Sequence, residues 1–310
     1  MNKKSKRQPP TKQQNKNKKK KKGSFSTIVL VAIFFIGLSV LLYPTISDFW
    51  NVKRQTQAIM NYDSLILDMT PEDYSAHFQK ADKYNKKLGS MDNPFITHGK
   101  IEDMYYDALN IDGSGMMGYI TIEKIKVQLP IYHGTSDQVL NSAVGHVEGS
   151  SLPVGGKGTH SVLSAHRGLP SAKLFTNLDK LVEGDIFTVK ILDQIFTYQV
   201  DQIAIVLPHE VSNLKIDKNE DYCTLLTCTP YGINTHRMMV RGRRIDNIEP
   251  PKVLNVVTEA FQVDPLIVTP AVAAPMLGAL LIFLLVKSGK QNKKKKNKAK
   301  TQTDNENKKD

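Results

Sequence analysis

Cys223 and Cys228 sit five residues apart in the run Tyr222-Cys223-Thr224-Leu225-Leu226-Thr227-Cys228. The run is rich in β-branched and apolar residues and reads as a strand that Pro230 ends, because proline has no N–H for a ladder. Five strand residues separate two Cα atoms by about 17 Å and turn the side chains to opposite faces. A disulfide needs Cα atoms within about 7 Å, so the two thiols do not pair while the strand holds. Cys228, at the mouth of the strand, is placed to attack a substrate, unless it is a small buried hydrophobe as most free cysteines are. Cys223 fits that second role.

A thiol attacks as its thiolate and needs a base or a cation beside it. Of eight histidines, His166 ends the apolar run His160–Ala165 just before Arg167-Gly168, again where strand meets loop. His160 lies at the far end of the same run. His77, His98, His133, His146 and His209 stand in helix, loop or turn contexts and read as solvated polar residues. Arg237 follows Cys228 by nine residues across the turn Tyr231-Gly232-Ile233-Asn234, a length that suits a hairpin return. Its fork of donors can hold an oxyanion or a substrate backbone, or simply pair with an acid, as Arg241, Arg243 and Arg244 are expected to do. His236, its neighbour, points to the other face. No cluster has metal-ligand spacing, and no cofactor is implied.

Short β runs must carry these residues. MGYITI, VQLPIY, HSVLSA, DIFTVKIL, IFTYQV, IAIVL, YCTLLTC and HRMMVRG give about eight strands over residues 117–245, enough for a closed barrel or a sandwich. Ser171–Leu181 reads as a short interrupting helix. Ahead of the strands, residues 45–68 continue a helix. Thr70-Pro71-Glu72-Asp73 starts another, with Thr70 as N-cap and Gly89 as its C-cap. Residues 90–115 read as loop.

The net charge of +12 is confined to the ends: residues 1–22 carry +11 and residues 287–310 carry +7, leaving −6 between them. An acidic centre argues against a nucleic-acid face. Inside each basic tail lies an uncharged apolar stretch, 25–43 and 265–286, each long enough as a helix for the roughly 30 Å of a bilayer core. Lysine-rich flanks stay cytoplasmic. The expected topology is a two-pass protein of the cell membrane with both termini cytoplasmic and residues 45–264 outside. The expected segments are a basic tail (1–24), a transmembrane helix (25–43), an extracellular helical module with a lid-like loop (45–115), a β-barrel (116–246), a second transmembrane helix (265–286) and a second tail (287–310).

Several motifs in order carry a family resemblance. Thr224-Leu225-Leu226-Thr227-Cys228 resembles the TLxTC signature of sortases, and Thr229 to Arg237 is similar to its continuation in class C, pilin-polymerising members. Leu163-Ser164-Ala165-His166-Arg167-Gly168 resembles the family's histidine motif, and Gly145–Pro153 a further stretch of it. The resemblance implies a mostly-β, sortase-type eight-stranded barrel with His166, Cys228 and Arg237 as catalytic set. It also implies an LPXTG-like sorting signal on a secreted pilin or surface protein as substrate, and an amine acceptor, a pilin lysine or a wall peptide. Asn93-Pro94-Phe95 resembles the Asp-Pro-aromatic lid of class C sortases, with Asn where Asp is usual, so that an ion pair to Arg237 is replaced by a hydrogen bond at most. Anchoring to cell-wall precursor, thioester hydrolysis by a cysteine protease, and a non-catalytic receptor or scaffold are the competing readings.

Overall fold

The computed structural model describes residues 22–91, 95, 100–247, 275–279, 282, 283 and 286. It divides into two units, residues 43–262 and a second unit of residues 1–42 with 263–310. In the second unit, α1 (Lys22–Leu67) begins, and its apolar stretch makes it the one helix among the described residues long and apolar enough to cross a membrane. The second apolar stretch, 265–286, falls mostly outside the described residues; those that are described are helical.

The larger unit is built on a closed barrel of eight strands: β1 (Met116–Ile122), β2 (Val127–His133), β3 (Val144–His146), β4 (Thr159–Ser164), β5 (Ile186–Ile191), β6 (Gln194–Val206), β7 (Asp221–Thr229) and β8 (His236–Ile245). Their order around the barrel is β1-β2-β3-β4-β7-β8-β6-β5, with β2–β3 and β4–β7 parallel and the other pairs antiparallel. Closure leaves the sheet without a free edge along most of its length. Inward residues such as Ile120, Leu163, Val189, Cys223, Leu225 and Val240 are fully buried and form the core.

The strand pattern differs from its expectation in two places. IFTYQV and IAIVL are one strand, β6, which runs through a register shift between Val200 and Gln202. The missing eighth strand is the three-residue β3, too short to show an alternation. Two further expectations are corrected. Ser171–Leu181 is mostly turns, with only a 3-10 turn at Leu178–Lys180; Leu174 takes a positive φ, which a right-handed helix does not accommodate. The stretch 90–115 contains α3 (Lys100–Asp107).

Three helices lean on the barrel through polar as well as apolar contacts. The part of α1 within this unit donates from Asn51 to Ser171 O and from Gln55 to Ser142 O, both at 2.7 Å. Tyr62 Oη donates to Met117 O and accepts from Leu192 N, joining α1 to two barrel segments. In α2 (Pro71–Gly89), Thr70 caps the first turn in a capping box with Asp73. Gly89 is the last helical residue and Ser90 the C-cap, one position beyond the expected cap. Buried Asn85 of α2 exchanges two hydrogen bonds with Leu152, accepting from its N–H at 2.7 Å and donating to its C=O at 3.1 Å. Ile59, Tyr62, Tyr84 and Leu88 belong to the same apolar core as the barrel interior.

His133 and His146 are buried, not solvated as their turn contexts suggested. His133 Nδ1 lies 2.9 Å from Gly115 O, and its Nε2 lies 3.0 Å from Tyr105 O and 2.9 Å from Ala108 O, near the end of α3. Burial draws its pKa below the ordinary histidine value, against the pull of these carbonyls. His146 Nε2 donates to Ser151 O at 2.8 Å, and its Nδ1 faces Tyr105 Oη at 3.0 Å. Complete burial pushes its pKa down to about 3. Tyr105 Oη also accepts from Gly134 N, so one tyrosine locks α3 to the barrel.

Candidate active site

Strand alternation settles which cysteine is available. Cys223 points into the core, where burial drives its thiol pKa far up. Cys228, five residues on, lies on the outer face and is partly exposed; both are free thiols. The thiol of Cys223 is therefore shut away from solvent.

Three neighbouring strands bring the candidate residues together. Cys228 of β7 and Arg237 of β8 are direct cross-strand partners, the last pair but one before the turn. Cα atoms of such a pair lie about 4.5–5.5 Å apart with side chains on one face. On the other side, β4 runs parallel to β7 with Ser164 opposite Leu226. The pairing carries on past the strand end: Ala165 N donates to Leu226 O at 3.2 Å, and Thr227 Oγ1 donates to Ala165 O at 2.8 Å. His166 follows Ala165 just past the end of β4, alongside the end of β7 that carries Cys228. Cys228 and Arg237 thus form a cross-strand pair at one end of the barrel, with His166 on the segment that follows β4 at the same end.

The turn between Cys228 and Arg237 is fixed by Pro230 O, which accepts from Ile233 N and Asn234 N. Gly232 and Asn234 adopt positive φ, which suits these two residue types. Arg237 Nη1 donates to Asn234 O and His236 O, each at 3.2 Å. The other arginines of β8 are engaged with acids, as expected. Arg241 makes a two-pronged pair with Asp201 at 3.0 and 2.8 Å, Arg243 pairs with Glu220, and Arg244 lies 3.9 Å from Asp221. His160, at the far end of β4, is spent on Lys215 O and Thr224 Oγ1.

The loop after His166 meets this turn. The ring of Tyr231 lies where a Cβ on Gly168 would fall, at 2.8 Å, and Gly168 has φ of +81°. Glycine is required there on both counts.

Directly along the outer face from Cys228, Val162, Val206, Leu214 and Met239 form a second apolar cluster. Registers place Val206 beside Arg237 and Met239 beside Leu226, so the cluster adjoins the Cys228–Arg237 pair. Phe95 packs against it. Asn93 and Pro94 of the same motif lie outside the described residues. Sequence reading gave no sign of this cluster, because its members come from four separate segments. Among the described residues no group of three or more His, Cys, Asp or Glu side chains is placed to hold a metal ion.

A sortase domain model matches residues 120–245. The structure of sortase C1 from Streptococcus agalactiae is 50% identical, with a TM-score of 0.60 over 62% of this chain and 100% of that one. That of Clostridium perfringens sortase C with the C-terminal cell wall sorting motif is 45% identical, with a TM-score of 0.55 over 62% of this chain and all of that one. Bacillus subtilis sortase D is 29% identical over 131 residues, 41% of this chain and 63% of that protein, so the match spans less than two thirds of that relative. The chain belongs to the sortase family, whose members are cysteine transpeptidases.

Proposed function

We propose that this protein is a membrane-anchored transpeptidase that cleaves an LPXTG-like sorting signal and passes the acyl group to a lysine amine of a pilin subunit. Cys228 Sγ attacks the carbonyl carbon of the Thr–Gly bond. Arg237 stabilises the tetrahedral oxyanion. His166 gives a proton to the departing amine of glycine, leaving a thioacyl-enzyme at Cys228. An incoming amine then attacks the thioester, His166 takes its proton, and Cys228 leaves as the thiolate beside the imidazolium, as at the start of the cycle. One amide is broken and one made, so no nucleotide is consumed. The observation that carries this reading is the free, partly exposed thiol of Cys228 paired across the ladder with Arg237, with His166 following the end of the neighbouring strand β4.

The apolar cluster of Val162, Val206, Leu214 and Met239 suits the Leu-Pro portion of such a signal, and Phe95 occupies it. Asn93, Pro94 and Phe95 act as a lid that must withdraw for substrate to enter. Likeness to sortase C1 and the lid motif favour pilin polymerisation over anchoring to wall precursor. Both ends of the catalytic unit are held in the cell membrane by residues 25–43 and 265–286, with the barrel outside.

Incubating the full chain with a pilin bearing an LPXTG-like signal tests the proposal. A ladder of isopeptide-linked oligomers and a trapped acyl adduct on Cys228 support it. Adduct formation with transfer only to a wall-peptide amine replaces polymerisation by anchoring, and the absence of any adduct overturns the enzyme reading.

A further inference from the structure

Each of His166 and Cys228 is flanked by residues that bond to the flanks of the other. On the inner side, Thr227 Oγ1 donates to Ala165 O at 2.8 Å. On the same face of β7, two residues further on, Arg167 Nη1 donates to Thr229 Oγ1 at 3.4 Å. Positions 165 and 167 are thus tied to positions 227 and 229, with the two reactive residues between them.

We infer that Arg167 is a positioning residue that holds His166 level with Cys228. The inference rests on the His166–Cys228 pairing proposed above. β4 ends at Ser164 while β7 runs on to Thr229, so ladder hydrogen bonds no longer set the height of the segment that carries His166. Ala165 N to Leu226 O is a backbone bond to β7 at the level just before that pair. Beyond it, His166 O is turned to Phe175 N, away from β7. Arg167 supplies the cross-link at the next level.

The guanidinium is anchored for this task. Nη2 pairs with Asp179 Oδ2 at 2.5 Å, in the 3-10 turn Leu178–Lys180, and only 11% of the Arg167 side chain is exposed. Gly168 N donates to Thr176 Oγ1 at 3.1 Å, fixing the same loop from its other side. Nε of Arg167 is buried without a hydrogen-bond partner. Burying an arginine with an unmet donor costs stability, where an apolar side chain of the same length would pack without that cost. A residue kept only for packing has no need of the charge. One kept to bridge Thr229 and Asp179 across the mouth of β7 does.

The test compares Arg167→Met, Thr229→Val and Thr229→Ser in the full chain, with two readouts. The first is the rate of Cys228 alkylation by iodoacetamide at pH 6, which needs no substrate; Cys223 is buried and Cys228→Ala gives the blank. The second is kcat and KM on a fluorogenic LPXTG-like peptide. Arg167→Met is expected to slow alkylation at least fivefold and to lower kcat at least tenfold, with KM within twofold. Thr229→Val is expected to do the same to a smaller degree, Thr229→Ser to keep wild-type values, and the Met/Val double variant to match Arg167→Met alone. Unchanged alkylation in folded Arg167→Met protein overturns the inference, as do additive losses in the double variant or equal losses in Thr229→Ser and Thr229→Val. Altered alkylation with no peptide cleavage by the wild type keeps the positioning role and sinks the substrate reading instead.

Discussion

Cys228 and Arg237 face each other across the β7–β8 ladder, nine residues apart in sequence and one hydrogen-bonded strand apart in space. The turn between them has a fixed shape, so the thiol and the guanidinium share one face of the barrel without a long-range contact having to align them. Only His166 has to be brought from elsewhere, through the parallel pairing of β4 with β7.

Replacing Cys228 by alanine is expected to reduce transpeptidation by at least ~10³-fold, since Cys223, the other thiol of the chain, is buried in the core. Cys223→Ala leaves the reaction in place and lowers unfolding stability by about 1 kcal/mol, the cost of a small cavity in the core. Mass spectrometry of the acyl adduct and denaturant melts of both variants check the pair. Loss of the adduct in Cys223→Ala would contradict it.

Arg237→Ala is expected to lower kcat by about 10²–10³-fold, the loss typical of removing an oxyanion donor. The melting temperature should barely move, because the recorded bonds of the guanidinium run to carbonyls of its own turn. Lysine should not restore the rate, having neither the fork nor the reach in plane. Full activity in Arg237→Lys would show that charge alone suffices.

Phe95→Ala should open the groove. A half-buried phenylalanine contributes about 1 kcal/mol to docking, so the open population, and with it the alkylation rate of Cys228, is expected to rise about fivefold. An unchanged rate would mean that Phe95 does not guard the thiol.

Gly168→Ala introduces a Cβ at a φ of +81° and against the ring of Tyr231. The expected result is a fold that survives with a disturbed turn between Cys228 and Arg237. kcat should fall about tenfold or more, on the scale of a 1 Å misplacement. Tyr231→Ala in the same background should recover part of the loss by removing the clash; no recovery would assign the whole effect to backbone strain.

Stability should fall in mild acid because of His146. Its folded pKa of about 3 lies below the ordinary 6.5, so between those values the unfolded chain binds a proton that the folded chain refuses. Stability is therefore complete above pH 6.5 and drops by about 1.4 kcal/mol for each pH unit below it, from this residue alone. His160, also buried and lowered, adds in the same direction. Urea unfolding between pH 4 and 8 measures the slope, which should flatten in His146→Asn. An equal slope in that variant would place the proton uptake elsewhere.

Asn85 shows how little of the helical packing was legible in the chain. It exchanges two buried bonds with Leu152, 67 residues further along the chain. The same holds for His133 and His146, whose partners are carbonyls and a tyrosine far away in sequence. Local spacing carries no trace of such bonds.

The sequence by itself determined the local half of this protein. Alternation placed Cys223 inward and Cys228 outward, Pro230 ended β7, and the length of the turn returned Arg237 to the thiol, because strand periodicity and turn chemistry act over fewer than ten residues. It also drew the limits of most strands and the start of α2 at Thr70. Tertiary structure alone decided which strands are neighbours. Parallel pairing of β4 with β7 brings the end of β4, after which His166 follows, alongside the end of β7 that carries Cys228, and four distant segments make the apolar cluster under Phe95. Those contacts depend on how the barrel closes, and closure is a property of the whole set of strands and not of any one of them.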